Sequence, residues 1–136
     1  MSTEAPVRAI PAPLVNPEAK PFFDAAAEGR LLYKHCDACG LPHHPPRSMC
    51  PHCHSDRTAW KPSAGLGTVY SASMLRKGVP VAYCVAYVTL DEGVTLMSDL
   101  LGFGDATPPV GTRVKVLFVQ AEGGASVPMF GPVQAP

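Results

Sequence analysis

The second half of the chain is written in short alternating runs. GTVYSASM (67–74) predicts one strand, and VPVAYCVAYVTL (79–90) predicts a longer one. In the latter, Val81, Tyr83, Val85 and Tyr87 share one parity and Ala82, Cys84, Ala86 and Val88 the other. Both faces are apolar, as in a strand buried on each side or curled into a barrel. Asp91-Glu92-Gly93 reads as a tight turn into a strand over Val94–Leu101. After a loop over Pro108–Thr112, RVKVLFV (113–119) predicts another strand with Arg113 and Lys115 outward, and Val127–Phe130 a last short one. Five short strands with turns at hairpin spacing suit a small closed barrel, of OB type or, as the alternative, SH3-like.

The first half is patterned differently. Pro6, Pro11, Pro13 and Pro17 forbid a helix over residues 1–17 and predict an extended arm, either a disordered tail or a segment laid across a partner. Between Glu18 and Leu32, Phe22, Phe23, Ala26 and Ala27 fall at helical spacing, with Pro21 suited to a first turn and Gly29 to the position after the helix. A helix this short has little core of its own, so the Phe pair is read as facing another subunit. Leu31-Leu32-Tyr33 leads as a strand into CDACG, and Thr58–Lys61 returns as its partner, with Pro62-Ser63-Ala64-Gly65 as the boundary. The expected organisation is an arm (1–17), a helix plus metal module (18–61) and a barrel (62–136).

Composition narrows the chemistry. Eleven Lys/Arg balance eleven Asp/Glu for a formal net charge of +0, with no basic stripe of the kind that grips phosphates. Nucleic-acid binding, which ribbons and OB barrels often perform, therefore stands as the alternative reading and not the first. No apolar leader or membrane-spanning run is present, which points to the cytoplasm and, in that reducing setting, to metal rather than disulfides for clustered cysteines. Isolated Cys84 reads as a core residue.

Cys36, Cys39, Cys50 and Cys53 form C-x2-C-x10-C-x2-C. Two tight turns each present a pair of sulfurs, which matches the four tetrahedral ligands of one structural Zn2+ per chain; an iron–sulfur or redox role is the remaining alternative. Gly40 follows the first pair where the turn favours positive φ, whereas His54 follows the second. With four thiolates in place, His35, His43, His44, His52 and His54 read as surface or supporting groups. A closed site has no open position for catalysis, and no catalytic residues are assigned: there is no phosphate loop, G-x-S-x-G elbow or His-Glu-x-x-His motif. Arg47, on the bend Pro45-Pro46-Arg47, is placed to contact a partner. Arg76 and Lys77 form the one basic pair in the barrel, either a solvated turn or a contact for phosphate such as that of coenzyme A.

Taken in order, FFDAAAEGRLLYKHCDACG, HHPPRSMCPHCHS, GTVYS, VAYVTLDEG, LMSDLLG, VGTRVKVLF and VPMFGP resemble the zinc-ribbon/OB-fold family once catalogued only as a domain of unknown function. The resemblance runs from about Lys20 to Pro132. It implies a mainly β protein: a short N-terminal helix, a rubredoxin-like zinc ribbon, then a five-stranded OB-fold barrel. It also implies an accessory subunit that pairs with a thiolase-like protein in a hetero-oligomer acting on acyl-CoA, with a coenzyme A thioester as a shared ligand. In such pairs the partner holds the reactive groups, so only the metal-ligand role of the four cysteines carries over. His54 in place of the usual glycine and the short segment 76–80 depart from the family pattern.

Overall fold

A computed structural model describes residues 8–133 of the chain. Pro21, tolerated where a helix has no internal partner for its N–H, sits in the first turn of α1 (Lys20–Ala27). The Asn16 side chain accepts the Ala19 N–H at 2.9 Å and sets the preceding turn. Gly29, at φ 79°, ends the helix: its own N–H reaches the Ala26 carbonyl while that of Arg30 reaches Ala25. This paired closure needs the left-handed conformation that glycine adopts freely.

β1 (Leu32–Cys36), β2 (Pro42–His43) and β3 (Thr58–Pro62) form a three-stranded antiparallel sheet in the order β2-β1-β3. Cys36 is thus the last residue of β1, paired across to Thr58. Then come β4 (Leu66–Leu75), β5 (Tyr83–Leu90), β6 (Thr95–Leu100), β7 (Arg113–Gln120), a 3-10 turn at Glu122–Gly124 and β8 (Ser126–Pro132). These five strands close a barrel in the order β4-β5-β6-β8-β7, with β7 pairing back to β4 and β6 meeting β8 in parallel. This is the OB arrangement, and the SH3-like alternative drops out.

The barrel interior follows the alternation. Cys84, Ala86, Val88 and Leu90 of β5 point inward and join Val69, Leu96, Val114 and Phe130 in one core. Phe22 and Leu31 belong to the same cluster, because α1 lies against β8 and β1. This corrects the outward reading of the Phe pair: Phe22 is 6% exposed inside its own chain, and only Phe23 stays partly open, edge-on to it at 5.1 Å. The short helix finds its apolar support on the barrel, an option that its own periodicity could not rank against another subunit.

The arm is corrected likewise where it is described; residues 1–7 lie outside the described residues. Ile10 is buried against Ala121 and Met129, and its carbonyl accepts the Glu122 N–H at 2.9 Å. Arg8 pairs with Asp99 at 2.9 Å and lies 3.9 Å over the Tyr83 ring. At Arg8 and Ile10 the arm is therefore part of the barrel's own packing, while Leu14 is 94% exposed. The strand expected from Val79 begins only at Tyr83, since Pro80 lacks a donor for the ladder and Gly78 turns the chain at φ 75°.

The Asp91-Glu92-Gly93 turn does more than reverse the chain. Asp91 takes a bidentate pair from Arg113 at 2.7 and 2.9 Å. Glu92 accepts from the Ser63 hydroxyl and the Ala64 N–H, both at 2.8 Å, so the barrel grips the linker from the ribbon.

Burial of Phe22 makes a direct prediction. Phe22→Ala should destabilise the isolated chain by about 3 kcal/mol, the usual cost of emptying a core aromatic site. Denaturant unfolding of the pure protein measures this; an unchanged midpoint would return Phe22 to the interface residues.

Candidate metal centre

The metal centre is built from two similar turns. β1 delivers Cys36, and the chain turns back so that the Gly40 N–H reaches the Cys36 carbonyl at 2.8 Å. The second turn repeats this from Cys50, with the His54 N–H on the Cys50 carbonyl at 2.9 Å. Both residues closing the turns have positive φ, 80° for Gly40 and 67° for His54. His54 carries the strain that glycine avoids at the matching position. In each knuckle the first cysteine is buried and the second exposed.

The four sulfurs lie within 4.8 Å of one another. Cys36 to Cys53 is 3.6 Å and Cys39 to Cys50 is 3.8 Å. A tetrahedral zinc with Zn–S bonds of about 2.3 Å requires sulfurs about 3.8 Å apart. The cluster thus fits one zinc with no donor left over and no open coordination position. Its electrostatics say the same. The Cys39 N–H, 3.4 Å from the Cys36 sulfur, holds that thiol down at about 6. Against the pull of the Leu41 N–H, burial and the three other sulfurs push Cys39 up to about 12. Four mutually close sulfurs cannot all be anionic by themselves; a divalent cation supplies the charge that makes them so.

None of the five histidines joins the cluster. His43 is buried, donates from Nε2 to the Arg47 carbonyl at 3.4 Å, and burial lowers its pKa from the ordinary value. His44 packs 5.5 Å from the Phe22 ring, and burial pushes it down to about 4. His52 donates to the Pro42 carbonyl at 3.3 Å and His35 meets Asp37 at 3.3 Å. His43, His44 and His52 brace the loop between the knuckles instead of binding metal.

The remaining candidate residues fall in separate places. Arg47 is exposed on the loop between the Cys pairs. That loop is tied to the start of α1 by Ser48, whose N–H and hydroxyl donate to the Glu18 carboxylate at 2.8 and 2.6 Å. The helix and the Arg47 loop therefore meet, as the sequence suggested, but with Phe22 turned inward. Arg76 and Lys77 are exposed on the β4–β5 connection, far in sequence from both, and Arg76 donates to the Asp105 carbonyl at 2.8 Å. Sequence reasoning missed Glu92 as the module clamp and the Arg8–Asp99 pair. Glu92 was visible only as part of the D-E-G turn, and Asp99 had no local signal because its partner is 91 residues away.

A ribbon whose four cysteines are placed to close around one zinc, joined to an OB barrel, defines a structural-metal protein of the ribbon–barrel class. The family models agree with that class in detail: the ChsH2 rubredoxin-like zinc ribbon domain matches residues 23–59 and the ChsH2 C-terminal OB-fold domain matches 60–119. The chain belongs to this ChsH2 family. It is 32% identical to a chain of the solved "Ltp2-ChsH2(DUF35) aldolase", with a TM-score of 0.77 over 89% of this chain and 98% of that one. It is 33% identical over 135 residues to the "Probable enoyl-CoA hydratase alpha subunit" of Thermomonospora curvata. The match takes in 96% of this chain but 42% of that relative's length. A DUF35-family protein of unknown function from Sulfolobus solfataricus, 20% identical, shares the fold with a TM-score of 0.60 over 76% of this chain and 79% of that one. Among the described residues, no helix is long and apolar enough to cross a membrane.

The centre predicts one zinc per chain. Elemental analysis should find zinc at unit stoichiometry, and Cys36→Ser should lose both metal and soluble fold, because binding and folding are coupled in such modules. Since zinc displaces thiol protons, its affinity should rise with pH and acid should release it, as a chelator competition across pH will read.

Proposed function

We propose that this chain is a non-catalytic, zinc-holding accessory subunit of a cytoplasmic acyl-CoA-processing complex of thiolase type. In this reading a thiolase-like partner makes or breaks a C–C bond beside the thioester. The ribbon and barrel support the partner's fold and help shape its acyl-CoA site. The observation that carries the proposal is the match over 89% of its length to one chain of the solved "Ltp2-ChsH2(DUF35) aldolase". The hydratase subunit named for the longer relative points to the same substrate class.

The chemistry of the chain is consistent with a supporting role. The zinc site is closed by four sulfurs, and a metal without an open position activates no water and polarises no carbonyl. Cys84, the one cysteine outside the cluster, is buried and its thiol is pushed up by burial, the reverse of an activated nucleophile. Around the ribbon, exposed Arg47 and half-open Phe23 are the side chains we assign to the partner contact. Arg76 and Lys77 are assigned to a coenzyme A phosphate at the rim of the barrel.

Two outcomes follow. The purified chain alone should turn over no acyl-CoA, and thiolysis or aldol cleavage should appear on adding the thiolase-like protein that copurifies with it. Robust turnover by the isolated chain would overturn the proposal. Arg47→Ala should weaken association by about tenfold or more while leaving zinc content and melting temperature unchanged. Binding measured by calorimetry at wild-type strength would make Arg47 part of the scaffold.

A further inference from the structure

The outer face of β4, β5 and β6 is laid out in three cross-strand rows. Antiparallel register aligns Thr68, Thr89 and Thr95 in one row, Ser71, Tyr87 and Met97 in the next, and Ser73, Val85 and Asp99 in the third. The middle row carries an irregularity. Val69 pairs with Val88 and Ser71 with Tyr87, so Tyr70 is an extra residue on β4. Tyr70 follows inward-facing Val69 and so points outward, and the bulge keeps Ser71 on the same face by pairing it with Tyr87. Tyr70 is 66% exposed, Tyr87 47% and Met97 62%.

The charge around this row is settled within the chain. Asp99, the one carboxylate in the grid, is 7% exposed and accepts from Nε and Nη2 of Arg8 at 3.1 and 2.9 Å. The same guanidinium covers Tyr83, the neighbouring outward residue of β5. At the other end, Arg113 is held by both oxygens of Asp91 and donates to the Thr68 hydroxyl at 3.0 Å. The Thr89 and Thr95 hydroxyls bond each other at 2.8 Å. Among the described residues, the three rows carry no charge without a partner and expose two tyrosines and a methionine together.

An antiparallel sheet facing water ordinarily presents polar side chains outward. Tyr and Met enrichment with charge depleted is instead the composition of the centre of a protein interface. Single-stranded nucleic acids, which also stack on OB-barrel aromatics, need a basic groove alongside them. Here the two neighbouring arginines are already paired with carboxylates.

We infer that the Tyr70–Tyr87–Met97 face is a protein-docking surface whose occupant is an uncharged, apolar face of the catalytic partner subunit, an inference that rests on the subunit reading above. A second copy of this chain fits less well. Similarity runs to an aldolase of two differently named components and to an alpha subunit, both descriptions of mixed assemblies.

The test compares three tagged chains: wild type, Tyr87→Lys/Met97→Lys, and Leu14→Lys, a control that adds the same kind of charge at an exposed apolar position on the N-terminal arm. Each is expressed with the subunit that copurifies with the wild type from its native cells, identified by mass spectrometry. The double variant should keep its zinc and melting temperature yet bind that subunit at least about tenfold more weakly than the control. Hydroxyl-radical footprinting of the wild type provides a second readout that needs no variant. Met97 and Tyr87 should be oxidised in the free chain and protected in the complex. Unchanged oxidation with a complex present, or full binding by the double variant, overturns the docking face and leaves the subunit reading standing. If no subunit copurifies with the wild type, both fall. Wild-type binding to a fluorescent oligo(dT), or a wild-type dimer by light scattering that the double variant lacks, would assign the face to nucleic acid or to a second copy and overturn the inference.

Discussion

Four sulfurs gathered within 4.8 Å are the feature on which the first half of the molecule depends. Left to themselves they repel as thiolates, and the ribbon that carries them has only three short strands to oppose that repulsion. A divalent cation reverses the sign of the problem: it turns mutual repulsion into four bonds and closes two loops at once. The knuckles then need little else. Each has two backbone hydrogen bonds across its turn and one residue of positive φ. Four of the five histidines are committed elsewhere, to carbonyls, a carboxylate and an aromatic ring.

The ribbon is not left hanging from the barrel. Leu31 and Phe22 enter the barrel's own core, and Glu92 holds the linker through a hydroxyl and a backbone N–H. Elsewhere in the ribbon, Ser48 ties the inter-knuckle loop to Glu18 ahead of α1, and its two donors hold the Glu18 carboxyl below the usual range. Metal, helix and barrel are thus coupled through named contacts, so the position of the exposed Arg47 loop relative to the barrel is set by the core and not by the loop itself. The supporting role proposed for the chain requires such coupling, because its use to a partner would lie in presenting surfaces at fixed separation.

Much of this is legible in the sequence. The Cys spacing predicts the metal, its ligands and the pair of turns, because ligand geometry is local and each C-x2-C needs only its own turn. The strand alternation on β5, β6 and β7 predicts a barrel for the same reason: side-chain direction reverses at every residue whatever the partner strand. Even the irregular second knuckle is visible in His54, which takes the positive φ expected of the missing glycine.

What sequence alone did not decide were the choices made between distant segments. Phe22 could have faced a partner or a core, and a helix of eight residues shows the same periodicity in either case. The arm could have been a tail, but Ile10 meets Ala121 and Met129, and Arg8 meets Asp99, across most of the chain. Alternation turns Tyr70, Tyr87 and Met97 outward, but that they share one face is set by the β4–β5–β6 register, which no local pattern announces. The sequence by itself determined the metal ligands and most of the elements, because those follow from bond geometry within a few residues. Only the tertiary structure decided which apolar and charged side chains are used inside the molecule and which remain outside, because that is settled by pairings between residues tens of positions apart.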